Sequence, residues 1–146
     1  MKIDTAFWDS SALLPLCCTQ LFSAQASRVR REFPKIALWW GTTVEINCAI
    51  ARLTRDAAIC ETQKILGLRR WRTMHRSAKP VDPSSKVLAL ATALPDSYPL
   101  RAMDTFQLAA ALVWCGERPR NRPFVSADRR LSEAARDAGF NVIVLS

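Results

Sequence analysis

Within FVSADRRLSEAARDAGFNVIVL (Phe124 to Leu145) an apolar run, a helical pattern and a second apolar run follow one another almost without a linker. FVSAD reads as a strand ending in an acid, RRLSEAARDAG as a helix stopped by Gly139, and FNVIVL as a closing strand. Two strands joined through one helix run parallel, since only a hairpin turn reverses direction within so short a span. A parallel sheet needs helices on both faces, so this segment constrains everything upstream of it.

The upstream chain supplies matching parts. IDTAFWDSSALLPLCC reads as a short strand through Phe7 and Trp8, then Asp9, then a helix entered at Ser10 or Ser11, which Pro15 would kink or restart. SAQASRVRREF is a short basic helix. KIALWWG is a strand covered on both faces, and TTVEINCAIARLTR a helix opened by the capping-box pattern Thr42-x-x-Glu45. A long arginine-rich helix covers about Ala57 to Arg76, AKPVDPSS breaks the chain, and Ser84 to Leu94 is helical. Leu100 to Cys115 forms an apolar helix opened by Asp104, and ERPRNRP is a polar loop. The expected architecture is α/β, a sheet sandwiched between helical layers with right-handed crossovers.

At 146 residues, 49% of them hydrophobic, the chain is expected to form one domain over residues 1–146 with its own core. Lys and Arg number 21 against 13 Asp and Glu, and the resulting +8 charge favours a polyanionic partner. Cys17, Cys18, Cys48, Cys60 and Cys115 contain no C-x-x-C pair and read as small core residues of a reduced protein. The single histidine, His75, excludes two-histidine nuclease chemistry and histidine-rich metal sites. No run approaches the roughly 18 apolar residues of a membrane span. Asp4 and Asp9 stand where a signal peptide would be apolar, so a cytoplasmic location is expected.

Four acids carry the chemistry. Asp9 and Asp128 end strands, Glu45 lies in the first turn of the helix after IALWWG, and Asp104 opens its apolar helix. Each alone reads as a helix cap or first-turn acid. Together they fall at strand C-termini and helix N-termini, the edge of a parallel sheet where ligands bind. Carboxylates meeting there would repel one another unless a hard cation lay between them. Oxygen ligands without His or Cys suit Mg²⁺ or Mn²⁺.

FWDSSALLPL, TTVEINCAIARL, LRAMDTFQLAAAL and FVSADRRLSEAARDAGFNVIVL resemble, in order and spacing, the four acidic motifs of PIN-domain ribonucleases. More narrowly the chain is similar to the VapC toxins of VapBC toxin–antitoxin pairs. The resemblance implies a PIN-like three-layer α/β/α sandwich and a Mg²⁺- or Mn²⁺-dependent endoribonuclease. It places Asp9, Glu45, Asp104 and Asp128 on the acidic quartet; of the metal ligands, Asp9 and Asp104 are expected to bind the principal ion directly and Asp128 to complete a second or water-bridged site. Glu45 would orient or deprotonate the water, and Ser10 and Ser126 would contact acids or water from behind. Gln107 stands where many relatives carry His. Asp4-Thr5 offers a rival first acid, but only Asp9 has a strand before it and a helix after it. A cognate VapB-type antitoxin and a homodimer are the implied protein partners, the long helical stretch offering an apolar face.

RNA contacts are expected from LRRWRTMHRSAK, where Arg69, Arg70, Arg72 and Arg76 would neutralise phosphates and Trp71 would stack on a base. Core packing for Trp71 and a solvated helix face for the arginines are the bland alternatives. Two other functions compete. A phosphatase with an Asp nucleophile would want D-x-D after the first strand, and Ser11 occupies the second acid's place. A non-catalytic RNA-binding or protein-interaction module on the same fold would use the acids only as caps.

Overall fold

The structure is a computed structural model describing residues 2–146. Five strands form an all-parallel sheet in the order β3-β2-β1-β4-β5. The chain runs β1 (Thr5–Trp8), α1 (Ser10–Cys17), α2 (Ser23–Glu32), β2 (Lys35–Trp39), α3 (Thr42–Arg55), α4 (Glu61–Ser77) and β3 (Lys79–Val81). It continues through α5 (Ser85–Ala93), a 3₁₀ turn at Leu94–Asp96, α6 (Ala102–Trp114), β4 (Pro123–Ser126), α7 (Arg129–Ala138) and β5 (Asn141–Val144).

Strand side chains alternate between two cores, which is why these runs are apolar at consecutive positions. Ala6, Trp8, Ile36, Leu38 and Val125 face one layer, where Leu13, Val29, Ile46, Ile50 and Trp71 of α1–α4 cover them. Phe7, Ala37, Trp39 and Phe124 face the other, under Val87, Leu108 and Leu131 of α5–α7. From β1 to β3 the chain steps across the sheet one way with its helices in the first layer. From β3 through β4 to β5 it steps the other way with its helices in the second. Direction and face reverse together, as crossovers of one hand require. The expected three-layer α/β/α sandwich is the one found.

Four local expectations are corrected. AKPVDPSS does not merely break the chain: Lys79–Val81 pairs with Ala37–Trp39 as an edge strand, where a proline such as Pro80 is tolerated. Pro15 does not restart its helix, since α1 runs through it to Cys17 and the next helix begins at Ser23. The arginine-rich helix starts at Glu61 rather than Ala57, after Cys60 and Gln63 form a capping box. Thr42 and Glu45 form no such box, because Gly41 is the N-cap of α3 and makes no side-chain bond there. Gly139 does end α7, at φ 115°. Among the described residues no helix is long and apolar enough to cross a membrane.

Candidate active site

β1 and β4 are neighbours, yet the chain leaves them into opposite layers, α1 on one side and α7 on the other. Such a switch point opens a crevice beyond the strand C-termini. Asp9 lies in it, directly after β1. Its backbone N–H donates to Val125 O at 3.1 Å, tying it to β4. The residue is 2% exposed. Oδ1 accepts from Ser11 Oγ at 2.6 Å and from the Ala12 N–H at 3.2 Å, which caps α1. Oδ2 accepts from Ser126 Oγ at 2.9 Å, across the crevice. Burial pushes the Asp9 carboxyl up to about 7, against the pull of those three hydrogen bonds, and the Asp128 charge pushes the same way as burial.

Glu45 reaches the crevice from the first turn of α3, freed from capping. Its Oε1 accepts from Ser10 Oγ at 3.1 Å and its Oε2 from Gln107 Nε2 at 2.6 Å. Gln107 is buried in the otherwise apolar α6 and also donates to Thr42 Oγ1 at 3.0 Å, while its own Oε1 has no partner among the described residues. Burial raises the Glu45 pKa; Gln107 and Ser10 lower it, and Asp104 raises it again. Asp104 stands in the first turn of α6, half-buried. Burial and then Asp128 raise its pKa, while Arg101 and Arg130 lower it. Asp128 is the N-cap of α7, with Oδ1 accepting from the Leu131 N–H at 2.8 Å.

These mutual effects form a chain. Asp128 acts on Asp9 and on Asp104, and Asp104 acts on Glu45. Four carboxylates distant in sequence therefore feel one another's charge, each at or just inside the positive N-terminal end of its own helix, α1, α3, α6 or α7. All the groups offered are oxygens. That donor set fits Mg²⁺ or Mn²⁺, which take one or two carboxylates directly and keep several waters. It is not a preassembled cage: among the described residues no three His, Cys, Asp or Glu side chains are close enough to hold a metal.

Ser10 and Ser126 each touch an acid, Ser10 touching Glu45 and Ser126 touching Asp9. Sequence reasoning missed two further residues. Ser11 binds Asp9 and accepts from the Ala127 N–H at 2.9 Å, joining α1 to the β4–α7 turn; its signal was a hydroxyl two residues after a strand-ending acid. Gln107 was noticed only as a departure from relatives. Asp4, half-buried before β1, is paired instead with Lys35 at 2.9 Å.

The basic stretch fares unevenly. Trp71 is 3% exposed within the core beside α1 and α3, so it offers no free ring face to a base. That expectation gives way to core packing. Arg69, Arg70, Arg72 and Arg76 are exposed. Arg72, His75 and Arg76 line a groove with Thr43 and Asn47 of α3, whereas Arg69 and Arg70 face α2. The cysteines are also divided, with Cys17 and Cys18 buried but Cys48 and Cys60 exposed.

No protein-family model matches the sequence, and no curated protein does. Solved structures do match. A chain of a toxin–antitoxin complex from Klebsiella pneumoniae superposes with a TM-score of 0.66 at 16% identity, over 97% of this chain and 98% of that one. A chain of VapBC-5, a toxin–antitoxin system of Mycobacterium tuberculosis, superposes with a TM-score of 0.60 at 15% identity, over 97% and 98%. The molecule thus has the α/β/α fold found in VapBC structures, over nearly its whole length.

Proposed function

We propose that this chain is a metal-dependent endoribonuclease of the PIN-domain, VapC type, held inactive by a cognate VapB-type antitoxin. What supports the reading most is that Asp9, Glu45, Asp104 and Asp128, from four separate elements, act on one another's charge beyond the strand ends at the switch point of the sheet. Caps serving only their own helices would not need to meet. The two similar solved structures, each of a toxin–antitoxin system, support the antitoxin as partner.

In this reading Asp9, Asp104 and Asp128 would hold Mg²⁺ or Mn²⁺ partly through water, since no three such side chains among the described residues lie close enough to ligate one ion together. Bound there, the ion supplies charge neutralisation at the phosphoryl group and acidifies water. Glu45, fixed from both sides by Ser10 and Gln107, accepts the proton of the attacking water. Its raised pKa brings it closer to neutral pH, where a general base works best. Ser11 and Ser126 keep Asp9 oriented. The cationic face of α4 holds the RNA backbone through phosphate contacts. Exposed apolar side chains, Val44 on α3 in one layer and Leu88 on α5 in the other, are places an antitoxin or a second copy of the chain would cover.

The test is cleavage of labelled cellular RNA by antitoxin-free protein. Cutting is expected in Mg²⁺, none in EDTA, and at least a hundredfold less with Asp9→Asn, in the range typical of losing a polar catalytic group. Undiminished cutting by Asp9→Asn would contradict the assignment. RNA binding without cutting would favour the non-catalytic module.

A further inference from the structure

The crevice between α2 and α4 is lined by Arg30, Arg69, Arg70 and Thr73, with Leu16 and Met74. We propose that it is a second RNA contact, a binding site for a backbone phosphodiester remote from the acids; the choice of RNA rests on the nuclease reading above. Three guanidinium groups from two helices share this crevice. None of them forms an ion pair among the described residues, where the ion pairs present involve other side chains. Like charges brought together without counter-charge repel, and an incoming anion relieves that repulsion.

Arg70 has a structural partner. Its Nη1 donates to Cys17 O at 3.2 Å, at the negative C-terminal end of α1. Half-buried Arg30 and exposed Arg69 have none among the described residues. Burial and Cys18 push the Cys17 thiol up to about 12, while Arg70 and Arg30 both pull it down. Thr73 Oγ1 accepts from Arg76 Nη2 at 3.4 Å, leaving its own hydrogen free to donate. Guanidinium forks and a hydroxyl suit a phosphate's several oxygens.

A carboxylate would fit a single such fork equally well. What favours RNA is the continuation of charge. Arg72 and Arg76 carry the cationic face of α4 onward from Arg69, so charge extends along about 10 Å of helix at 1.5 Å per residue. Repeated anions match a line better than a lone side chain does. α1 spans 8 residues between Asp9 at its start and the crevice at its end. That is about 12 Å of helix, so a strand held in the crevice can reach the acids a few nucleotides further on.

The experiment is fluorescence anisotropy of a labelled single-stranded RNA, titrated with full-length protein in EDTA over a range of salt. The variants are Arg30→Gln with Arg69→Gln, the same pair changed to Lys, and a charge-matched control, Arg118→Gln with Arg136→Gln. The Gln pair is expected to lose about tenfold in affinity, and its salt slope to fall by roughly 1.4, two phosphates at 0.7 each for a single strand. The Lys pair, which keeps charge but not the forks, should fall between. The control should change less than twofold with an unaltered slope. Equal losses in crevice and control pairs would overturn the proposal, leaving only diffuse attraction. So would displacement of RNA from wild type by polyglutamate at equal charge concentration. Raised thermal stability in inorganic phosphate, with RNA affinity unchanged by the Gln pair, would identify a small-anion site and overturn it too. Binding is read without cleavage, so RNA held through the crevice by a protein that never cuts sinks the nuclease reading alone. Cutting with binding indifferent to Arg30 and Arg69 sinks the crevice alone.

Discussion

Asp9 and Gln107 show how single side chains in this molecule serve two demands. Asp9 caps α1 and also faces the crevice, so its burial is tolerated by three donors and opposed by Asp128. Its folded pKa of about 7 exceeds the ordinary 3.8, so the folded chain binds the proton more tightly than the unfolded chain. The associated stability is complete below about pH 4 and is lost as pH rises through about 7, on the order of 4 kcal/mol in all. Urea unfolding in EDTA should therefore show stability falling across that window, and Asp9→Asn should flatten the fall; an unchanged profile in the variant would contradict it. Gln107 acts through Glu45. Gln107→Leu removes a 2.6 Å bond and leaves that carboxylate held by Ser10 alone. Cleavage should drop roughly 10- to 100-fold, as for other groups that orient an active-site ligand. The melting temperature serves as the control for folding, and an active variant would mean that Glu45 needs no such support.

At the scale of elements, close approach decides what propensity does not. Gly67 sits inside α4, where alanine ordinarily favours a helix by about 1 kcal/mol. Here an added Cβ would lie 2.7 Å from Cys18 Sγ and 3.5 Å from Cys17 O. Gly67→Ala should therefore destabilise, by about 1–3 kcal/mol as overpacked cores do, measured as a lower urea midpoint; a higher midpoint would show that α4 has room to shift. Elements with strong local patterns were readable in the sequence: β1, β2, β4 and β5 as apolar runs, and α7 with its glycine stop. β3 was not, because three residues containing a proline carry no alternation and pair only once β2 is in place. The Thr42–Glu45 box failed for a similar reason. A tertiary partner, Gln107, takes Glu45 away from the local backbone it would otherwise cap. Asp9 and Asp128 were legible as strand-ending acids, whereas Ser11 and Gln107 acquire their roles only when distant elements meet.

The molecule as a whole carries +8, yet four of its carboxylates act on one another's charge. The proposed function accounts for that contrast: cations over the outer helices would collect a polyanionic substrate, and the acids near the strand ends would cut it. An all-parallel sheet with a switch point between β1 and β4 makes this possible by sending adjacent strands into opposite layers. Fold and acids were legible together because the acids mark strand ends. Trp71 was not, because an aromatic among arginines reads equally as a stacking platform or as core.

The most direct measurement is Mn²⁺ binding to the antitoxin-free protein at neutral pH, followed by the loss of the free-ion electron paramagnetic resonance signal. Saturable binding to wild type, weakened at least tenfold in Asp104→Asn with the melting temperature of the metal-free protein kept, is the predicted result. Equal Mn²⁺ uptake by wild type and Asp104→Asn, or none by either, would contradict the account of a cation held among these four acids.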